Sequence, residues 1–247
     1  MLKIAIFNFK GGTGKSTTTL NLGATLATSK RRVLVIDLDG QRTLSYGLGL
    51  DGDLPTALDW LTQGKAQPLE TSTKNLWLIP GDLGMFQLEA KEDLFTPALE
   101  KIEGFDVCLL DCSPGLSISS VQAILSCDRI LIPVICEPAV LKGLSEAVQL
   151  IREERPQVPI DVVRVRYRSR LVITKEAEEL LTDAVEELNY HLLKTTIPEN
   201  IAVAEAIAQL KPVTAYAPRS PGAKAYKKLA KECLGVWQWV KEWVWVS

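Results

Sequence analysis

The most chemically suggestive stretch of this sequence is a glycine-rich segment that directly follows an apolar run. Residues 10–17 read KGGTGKST and come after the apolar residues 4–7. Between a strand and a helix, such a loop lets backbone N–H groups converge on phosphate oxygens at a helix N-terminus. We expect Lys15 to reach the β- and γ-phosphates of a nucleoside triphosphate and the Ser16 hydroxyl to bind magnesium. The predicted nucleotide contacts in the loop are Gly11, Gly12, Thr13, Gly14, Lys15, Ser16 and Thr17.

A second lysine, Lys10, opens the same loop. Lys10 cannot easily fold back onto its own nucleotide, so its natural target lies across a dimer interface. If it contacts the partner's phosphates, both sites are completed only in a homodimer with nucleotide sandwiched between the subunits. Binding of the nucleotide then drives dimerisation, and hydrolysis reverses it. The alternative is a surface lysine that merely steers anions.

The loop resembles the deviant Walker A motif K-G-G-x-G-K-[ST]-[ST] of the ParA/MinD family. Residues 33–41 resemble the family's D-x-D-P-Q segment, and residues 105–114 resemble its Walker B strand and D-x-P-P turn. Later family motifs are matched at 130–138, 197–200, 204–206 and 220–223. The resemblance implies a P-loop NTPase fold, ATP and Mg²⁺ as cofactors, and a slow ATPase that a partner protein stimulates.

The resemblance also implies roles for the carboxylates that follow these strands. Asp111 matches the Walker B carboxylate, which holds magnesium through water; a strand-end helix cap is the alternative. Asp37 would sit near the metal, so the predicted metal residues are Ser16, Asp37 and Asp111. Asp39 matches the carboxylate that orients the attacking water, which makes Lys10, Lys15 and Asp39 the predicted catalytic set.

The segment that contains Asp39 also departs from the family pattern. Gln41 is expected to contact the nucleotide, but Gly40 stands where the family has proline, and Arg42 stands where it usually has glycine. Proline would stiffen this segment, whereas glycine loosens it. We therefore expect the mobility of this segment to differ from that of relatives.

The elements that position these residues alternate along the chain. Strands are predicted at 3–8, 32–37, 76–80, 105–111, 130–135, 160–166 and 191–197, and helices at 14–29, 55–63, 86–103, 116–126, 141–154, 174–189, 200–209 and 222–244. Almost wholly apolar strands must be buried on both faces. The pattern predicts an α/β fold in which helices flank a mostly parallel sheet on both faces. Ligands of such sheets bind at the carboxyl ends of the strands, where the loop and the aspartates fall.

Composition is typical of a single domain that spans residues 1–247. Hydrophobic residues make up 47% of the chain, charged residues 23%, and the net charge is −2. No apolar run is long enough to span a bilayer and the first strand starts at once, so we expect a cytoplasmic protein. Buried free thiols are the expectation for the five cysteines, with a bridging iron–sulfur cluster at Cys112 and Cys136 as the alternative.

The basic residues are clustered rather than dispersed: six arginines fall between residues 152 and 170, and four lysines fall at 224, 227, 228 and 231. Such clusters suit a polyanion-binding face. In the ParA branch the ATP dimer binds nucleoid DNA without sequence preference, and a ParB-like adaptor links it to a plasmid, a chromosome origin or a protein organelle such as a carboxysome. The predicted DNA-binding residues are Arg168, Arg170, Arg219, Lys224, Lys227 and Lys228. Such contacts would make binding salt-sensitive. A solvated helix face is the alternative.

The C-terminal tail, residues 236–247, contains four of the six tryptophans. In the MinD branch a C-terminal amphipathic helix binds the membrane, and this tail is the candidate for that role. It has one lysine offset by a glutamate, whereas membrane-surface helices usually carry several basic residues. Packing on its own domain and docking of a partner therefore remain open. The only histidine, His191, is expected to have a structural role.

Overall fold

One eight-stranded sheet organises the residues that the computed structural model describes, 1–65 and 67–237. The strands are β1 (Leu2–Ile6), β2 (Val33–Asp37), β3 (Leu69–Glu70), β4 (Leu76–Ile79), β5 (Val107–Asp111), β6 (Arg129–Ile135), β7 (Ile160–Tyr167) and β8 (His191–Pro198). Their order across the sheet is β3-β4-β2-β5-β1-β6-β7-β8. All pairings are parallel except that of β3 with β4.

The helices lie on both faces of this sheet. They are α1 (Lys15–Leu26), α2 (Thr43–Gly47), α3 (Ala57–Gln63), α4 (Phe95–Glu100), α5 (Ile118–Ser126), α6 (Val140–Glu154), α7 (Val172–Asp183), α8 (Val185–Leu188), α9 (Ile201–Ala208), α10 (Val213–Tyr216) and α11 (Pro221–Trp237), with a 3₁₀ helix at Leu83–Gln87. Among the described residues, no helix combines the length and apolar character needed to cross a membrane.

Alternation along each strand divides the core into two layers. In β1, Ala5 belongs to the core under α3 to α7, whereas Ile4 and Ile6 belong to the core under α1, α10 and α11. Both faces of the central strands are fully buried, which explains their nearly continuous apolar sequences. The predicted fold class is therefore confirmed, and the parallel register brings Asp37 beside Asp111 at one edge of the sheet.

The prediction of one helix over residues 86–103 is wrong. The segment contains the end of the 3₁₀ helix, an irregular stretch, and the six-residue α4. The Asp93 carboxylate accepts hydrogen bonds from the backbone N–H groups of Phe95 and Thr96, both at 3.0 Å, and these bonds satisfy the first N–H groups of a helix that begins at Phe95. The short helices α2 and α10 lay outside the predicted pattern. The predicted tail helix continues to Trp237, and residues 238–247 lie outside the described part of the chain.

Candidate active site

The loop after β1 has the backbone geometry that phosphate binding requires. Gly12 and Gly14 adopt φ values of 73° and 79°, in the left-handed region that glycine enters without steric cost. Helix α1 begins at Lys15, so its free N–H groups point at the loop. The loop borders a cavity of about 630 Å³. Its other walls come from the segment after β2 and from the end of β8, including Asp39, Gln41 and Glu199.

Lys15 is held in place by the loop itself. Its ammonium donates to the backbone oxygens of Asn8 at 3.1 Å and of Lys10 at 3.2 Å. Burial lowers the pKa of Lys15, and the nearby carboxylate of Asp111 acts in the opposite direction. Among the described residues this buried ammonium has carbonyl oxygens and no carboxylate as hydrogen-bond partners, so an arriving phosphate would stabilise its charge. This arrangement supports the predicted role of Lys15.

Asp111 ends β5 with one carboxylate oxygen engaged and the other without a partner. Oδ1 accepts a hydrogen bond from the Thr19 hydroxyl at 2.9 Å, whereas buried Oδ2 has no hydrogen-bond partner among the described residues. Burial first, and then the charge of Asp37, raise the pKa of Asp111 well above its usual range, while the hydroxyls of Ser16 and Thr19 act against this. An orphaned carboxylate oxygen beside Ser16 fits a hard cation such as Mg²⁺.

Asp37 is already satisfied by protein partners. Its Oδ2 accepts from the Ser45 backbone N–H at 2.9 Å and from the Ser45 hydroxyl at 2.6 Å, and its Oδ1 accepts from Asp39 N at 3.1 Å. Burial raises the pKa of Asp37 to about 6, and the hydrogen bonds from Ser45 oppose the rise. These contacts favour a role in holding the segment after β2. The predicted metal role of Asp37 stays a prediction.

The Asp39 segment is ordered by a short turn. Asp39 Oδ1 accepts from Gln41 N at 2.9 Å, and both side chains border the cavity. Arg42 adopts a φ of 57°, a conformation that favours glycine, and its guanidinium pairs with Asp51 at 3.3 Å. At this position, where the family usually has glycine, an ion-paired arginine therefore adopts the left-handed backbone conformation.

Lys10 has a partner that sequence reasoning missed. Its ammonium lies 3.0 Å from Oε2 of Glu137, which follows β6, and both side chains remain substantially exposed. Two further residues at the cavity mouth were also missed: Arg166, with a φ of 48°, and Glu199, which pairs with Arg166 and Arg168. The Ile197–Pro198–Glu199–Asn200 motif was the available sequence signal for this side of the cavity.

The arginines between 152 and 170 do not form one free basic surface. Arg152 donates to the backbone oxygen of Val158 and Arg155 to that of Ile124. Buried Arg164 pairs with Glu178. Arg168 binds Glu199 through both Nε, at 2.5 Å, and Nη2, at 2.7 Å. This bidentate pair favours a role for Arg168 at the cavity mouth over the predicted DNA contact. Arg170 is exposed, and its predicted DNA contact stays a prediction.

Helix α11 presents its lysines on the outside of the domain. Lys224, Lys227, Lys228 and Lys231 are exposed, as is Arg219 before the helix. The opposite side packs into the core through Tyr226, Leu229 and Cys233. At its end, Trp237 is buried and its indole donates to Oδ2 of buried Asp161 at 2.9 Å. The first part of the Trp-rich tail therefore packs on its own domain.

A buried cluster surrounds Asp161. Arg129 Nη1 donates to both carboxylate oxygens, at 3.0 and 2.9 Å, and His191 Nδ1 lies 3.1 Å from Oδ1. The hydrogen bond to Asp161 raises the pKa of His191. As expected from the sequence, His191 has a structural partner. The five cysteines are buried free thiols, in line with the prediction.

The glycine loop, the buried Lys15 and the buried Asp111 carboxylate lie at the carboxyl ends of a parallel sheet and define a P-loop nucleotide-binding protein. A family model described as an AAA domain matches residues 1–162. The chromosome-partitioning ATPase Soj of Thermus thermophilus is 34% identical over 249 residues, covering 94% of this chain and 95% of the relative. The sporulation initiation inhibitor protein Soj of Bacillus subtilis is 32% identical over 251 residues, covering 93% and 96%.

A solved structure extends the match. The septum site-determining protein MinD of Pyrococcus horikoshii, complexed with Mg-ADP, superposes with a TM-score of 0.78 at 28% identity and covers 94% of this chain and 96% of its own. The chain belongs to the ParA/MinD family of ATPases. The family predicted from the sequence is confirmed, and so are ATP and Mg²⁺ as its cofactors.

Proposed function

We propose that this protein is an ATP-dependent dimeric switch that hydrolyses ATP slowly and binds nucleoid DNA without sequence preference to partition or position a cargo. The observation that carries the proposal is the combination of a buried Lys15 with an exposed Lys10 on one phosphate loop. Lys15 neutralises the phosphates of its own nucleotide. Lys10, whose side chain is exposed on the same loop, completes the partner's site in a nucleotide-sandwiched homodimer.

ATP hydrolysis requires charge neutralisation at the phosphates and a positioned water more than it requires a strong base. Magnesium supplies charge neutralisation when bound, and Ser16 and Asp111 would hold it. The chain itself provides the loop N–H groups and the Lys15 ammonium for the phosphates. Asp39, fixed by its turn at the edge of the cavity, orients the water. We propose that a ParB-like partner protein stimulates this slow reaction.

The DNA proposal rests on α11 and Arg219 rather than on the arginine cluster. The four lysines of α11 and Arg219 are exposed on one part of the surface, whereas Arg168 is held by Glu199. A set of exposed cations neutralises phosphates and releases counterions on binding. We propose that the protein acts on the nucleoid in the cytoplasm and that the adaptor chooses its cargo.

The switch is tested by light scattering of the size-separated protein with and without Mg-ATP. The wild type should dimerise with ATP, Asp39→Ala should accumulate a stable ATP dimer, and Lys10→Ala should bind ATP yet remain monomeric. Because Lys142 is another exposed lysine on the chain, Lys142→Ala is the matched control and should behave as wild type. Asp39→Ala protein that stays monomeric with ATP would contradict the sandwich model.

The cargo surface is tested by titrating ATP-bound protein onto random duplex DNA and onto anionic vesicles, each at low and high salt. The double change Lys227→Ala with Lys228→Ala should lower the slope of log affinity against log salt by about two for DNA, because about one counterion is released per phosphate contact. Lys142→Ala is again the control. Vesicle binding that requires residues 238–247, without DNA binding, would establish the MinD-like alternative instead.

A further inference from the structure

The connection between β4 and α4, residues 80–94, covers the segment that contains Asp39. The proposed mechanism does not use this loop. Gly40 follows Asp39 directly and is buried. A Cβ atom placed on Gly40 would lie 2.5 Å from Cδ2 and 2.8 Å from Cγ of Phe86. The aromatic ring therefore rests on the bare backbone of Gly40. Any side chain at this position, including the proline of the family pattern, would meet the same ring.

Gly40 lies inside the turn that orients Asp39. On one side the carboxylate of Asp39 accepts a hydrogen bond from Gln41 N at 2.9 Å. The backbone N–H of Arg42 donates to the backbone oxygen of Asp39 at 3.0 Å and closes the turn. Both bonds span Gly40, so a group that packs on Gly40 restrains the orientation of Asp39.

The same loop makes a second contact with this segment, near Asp37, which lies two residues before Asp39. Gly81 N donates to the Ser45 hydroxyl oxygen at 2.8 Å, and that hydroxyl donates to Asp37 at 2.6 Å. A Cβ atom on Gly81 would lie 2.9 Å from Cγ of Asp37, so the loop backbone approaches the carboxylate directly. The loop is therefore fixed to Asp37 on one side of Asp39 and lies on Gly40 on the other.

Phe86 is held in a short ordered element rather than in a free loop. It belongs to the 3₁₀ helix Leu83–Gln87, which Asp82 caps by accepting from Gly84 N at 2.7 Å. Phe86 remains 55% exposed as a residue. A half-exposed ring contributes little to core burial, so its contact with Gly40 can be removed with limited cost to stability.

We infer that Phe86 is a positioning residue for Asp39. Its ring presses on Gly40 and keeps the Asp39 turn in the geometry that orients the attacking water. In this chain the aromatic contact takes over the stiffening that proline gives at the same position in the family pattern. The kinetic consequence rests on the proposed ATP hydrolysis, but the restraint on the turn does not.

The restraint is tested first without nucleotide, by hydrogen–deuterium exchange of a peptide that covers residues 38–46. Phe86→Ala should speed exchange of the Gln41 and Arg42 amides by about threefold or more, because those amides are protected by the turn. Leu83→Ala, which shortens another exposed apolar side chain of the same 3₁₀ helix, should leave the exchange unchanged. Phe86→Tyr keeps the ring and should also match wild type. Equal exchange in Phe86→Ala and wild type would overturn the inference.

Steady-state ATP hydrolysis gives the second readout. Phe86→Ala should lower kcat by about tenfold while KM for ATP changes less than about twofold, because a misplaced catalytic group costs rate rather than ground-state binding. Gly40→Ala displaces the same ring, so it should give the same loss. The double variant should be no slower than either single variant, because both changes break one contact.

Two kinetic outcomes would refute the role of Phe86: a wild-type kcat in Phe86→Ala, or losses that multiply in the double variant. Phe86→Tyr should retain the wild-type kcat, and its loss of activity would also count against the packing explanation. If the wild type itself fails to hydrolyse ATP, the proposed function fails while the exchange measurement still decides the restraint. The two failures are therefore distinguishable.

Discussion

Replacement of Trp237 by phenylalanine tests how firmly the end of α11 is attached to the domain. The indole N–H of Trp237 donates to Oδ2 of Asp161 at 2.9 Å, and Asp161 is completely buried. Phenylalanine keeps an aromatic ring in the site but has no donor. The change therefore removes one of the hydrogen bonds to a buried carboxylate that also binds Arg129 and His191.

The expected loss follows from the type of hydrogen bond. A hydrogen bond to a charged group contributes about 1.5–3 kcal/mol, and an unpaired buried acceptor keeps its desolvation penalty. The smaller ring adds a packing loss of about 1 kcal/mol. For a chain of this size, 1 kcal/mol corresponds to about 2–4 °C in Tm, so the hydrogen bond alone should account for about 3–12 °C.

The matched control is Trp60→Phe. Trp60 is equally buried, but its indole N–H has no hydrogen-bond partner among the described residues. Thermal and urea unfolding followed by circular dichroism should show Trp237→Phe to be less stable than Trp60→Phe by about 1.5–3 kcal/mol, because only the packing loss is common to both. Equal destabilisation of the two variants would refute the contribution assigned to the Trp237–Asp161 bond.

Three further changes test the site and the Asp161 cluster. Glu137→Gln should release Lys10 and tighten the ATP dimer about two- to tenfold in sedimentation, because the variant need not break the two exposed Lys10–Glu137 pairs that the wild type gives up on dimerisation. A weaker dimer would show that Glu137 supports association. Lys15→Ala should abolish binding of a fluorescent ATP analogue, and retained affinity would contradict its phosphate contact. His191→Asn should remove stability that the wild type has below about pH 6.5 and loses as the pH rises through the raised pKa of His191; parallel urea midpoints of the two proteins between pH 6 and 8 would contradict this.

The strands and the phosphate loop were predictable because their signals are local. Buried parallel strands are continuous apolar runs, and the glycines at 12 and 14 are required by their left-handed backbone. The positions of Asp37 and Asp111 followed from the rule that parallel strands end at one edge of the sheet. The rule did not predict how the two carboxylates differ: Ser45 donates to Asp37, whereas Oδ2 of Asp111 has no hydrogen-bond partner in the described part of the chain.

Partners that are distant in sequence account for most of what was missed. Arg152, Arg155 and Arg164 look like part of a basic patch in the sequence, yet the fold turns them towards carbonyl oxygens and Glu178. The pair of Lys10 with Glu137 spans 127 positions and has no local signature. The prediction of a helix over 86–103 was wrong for a local reason. It followed the periodicity of apolar residues and did not take into account that Asp93 accepts from the first N–H groups of a helix beginning at Phe95.

The attachment of α11 bears directly on the choice between DNA and membrane. Because Trp237 is bonded to Asp161, the apolar side of α11 faces the core and cannot at the same time face a lipid surface. The same packing fixes Lys224, Lys227 and Lys228 on the outer side. The described part of the helix therefore offers charge rather than apolar area to a partner, which suits a polyanion bound through its phosphates. The candidate for a membrane role is then the segment 238–247, so its removal tests that role while the Trp237 donor to Asp161 is kept.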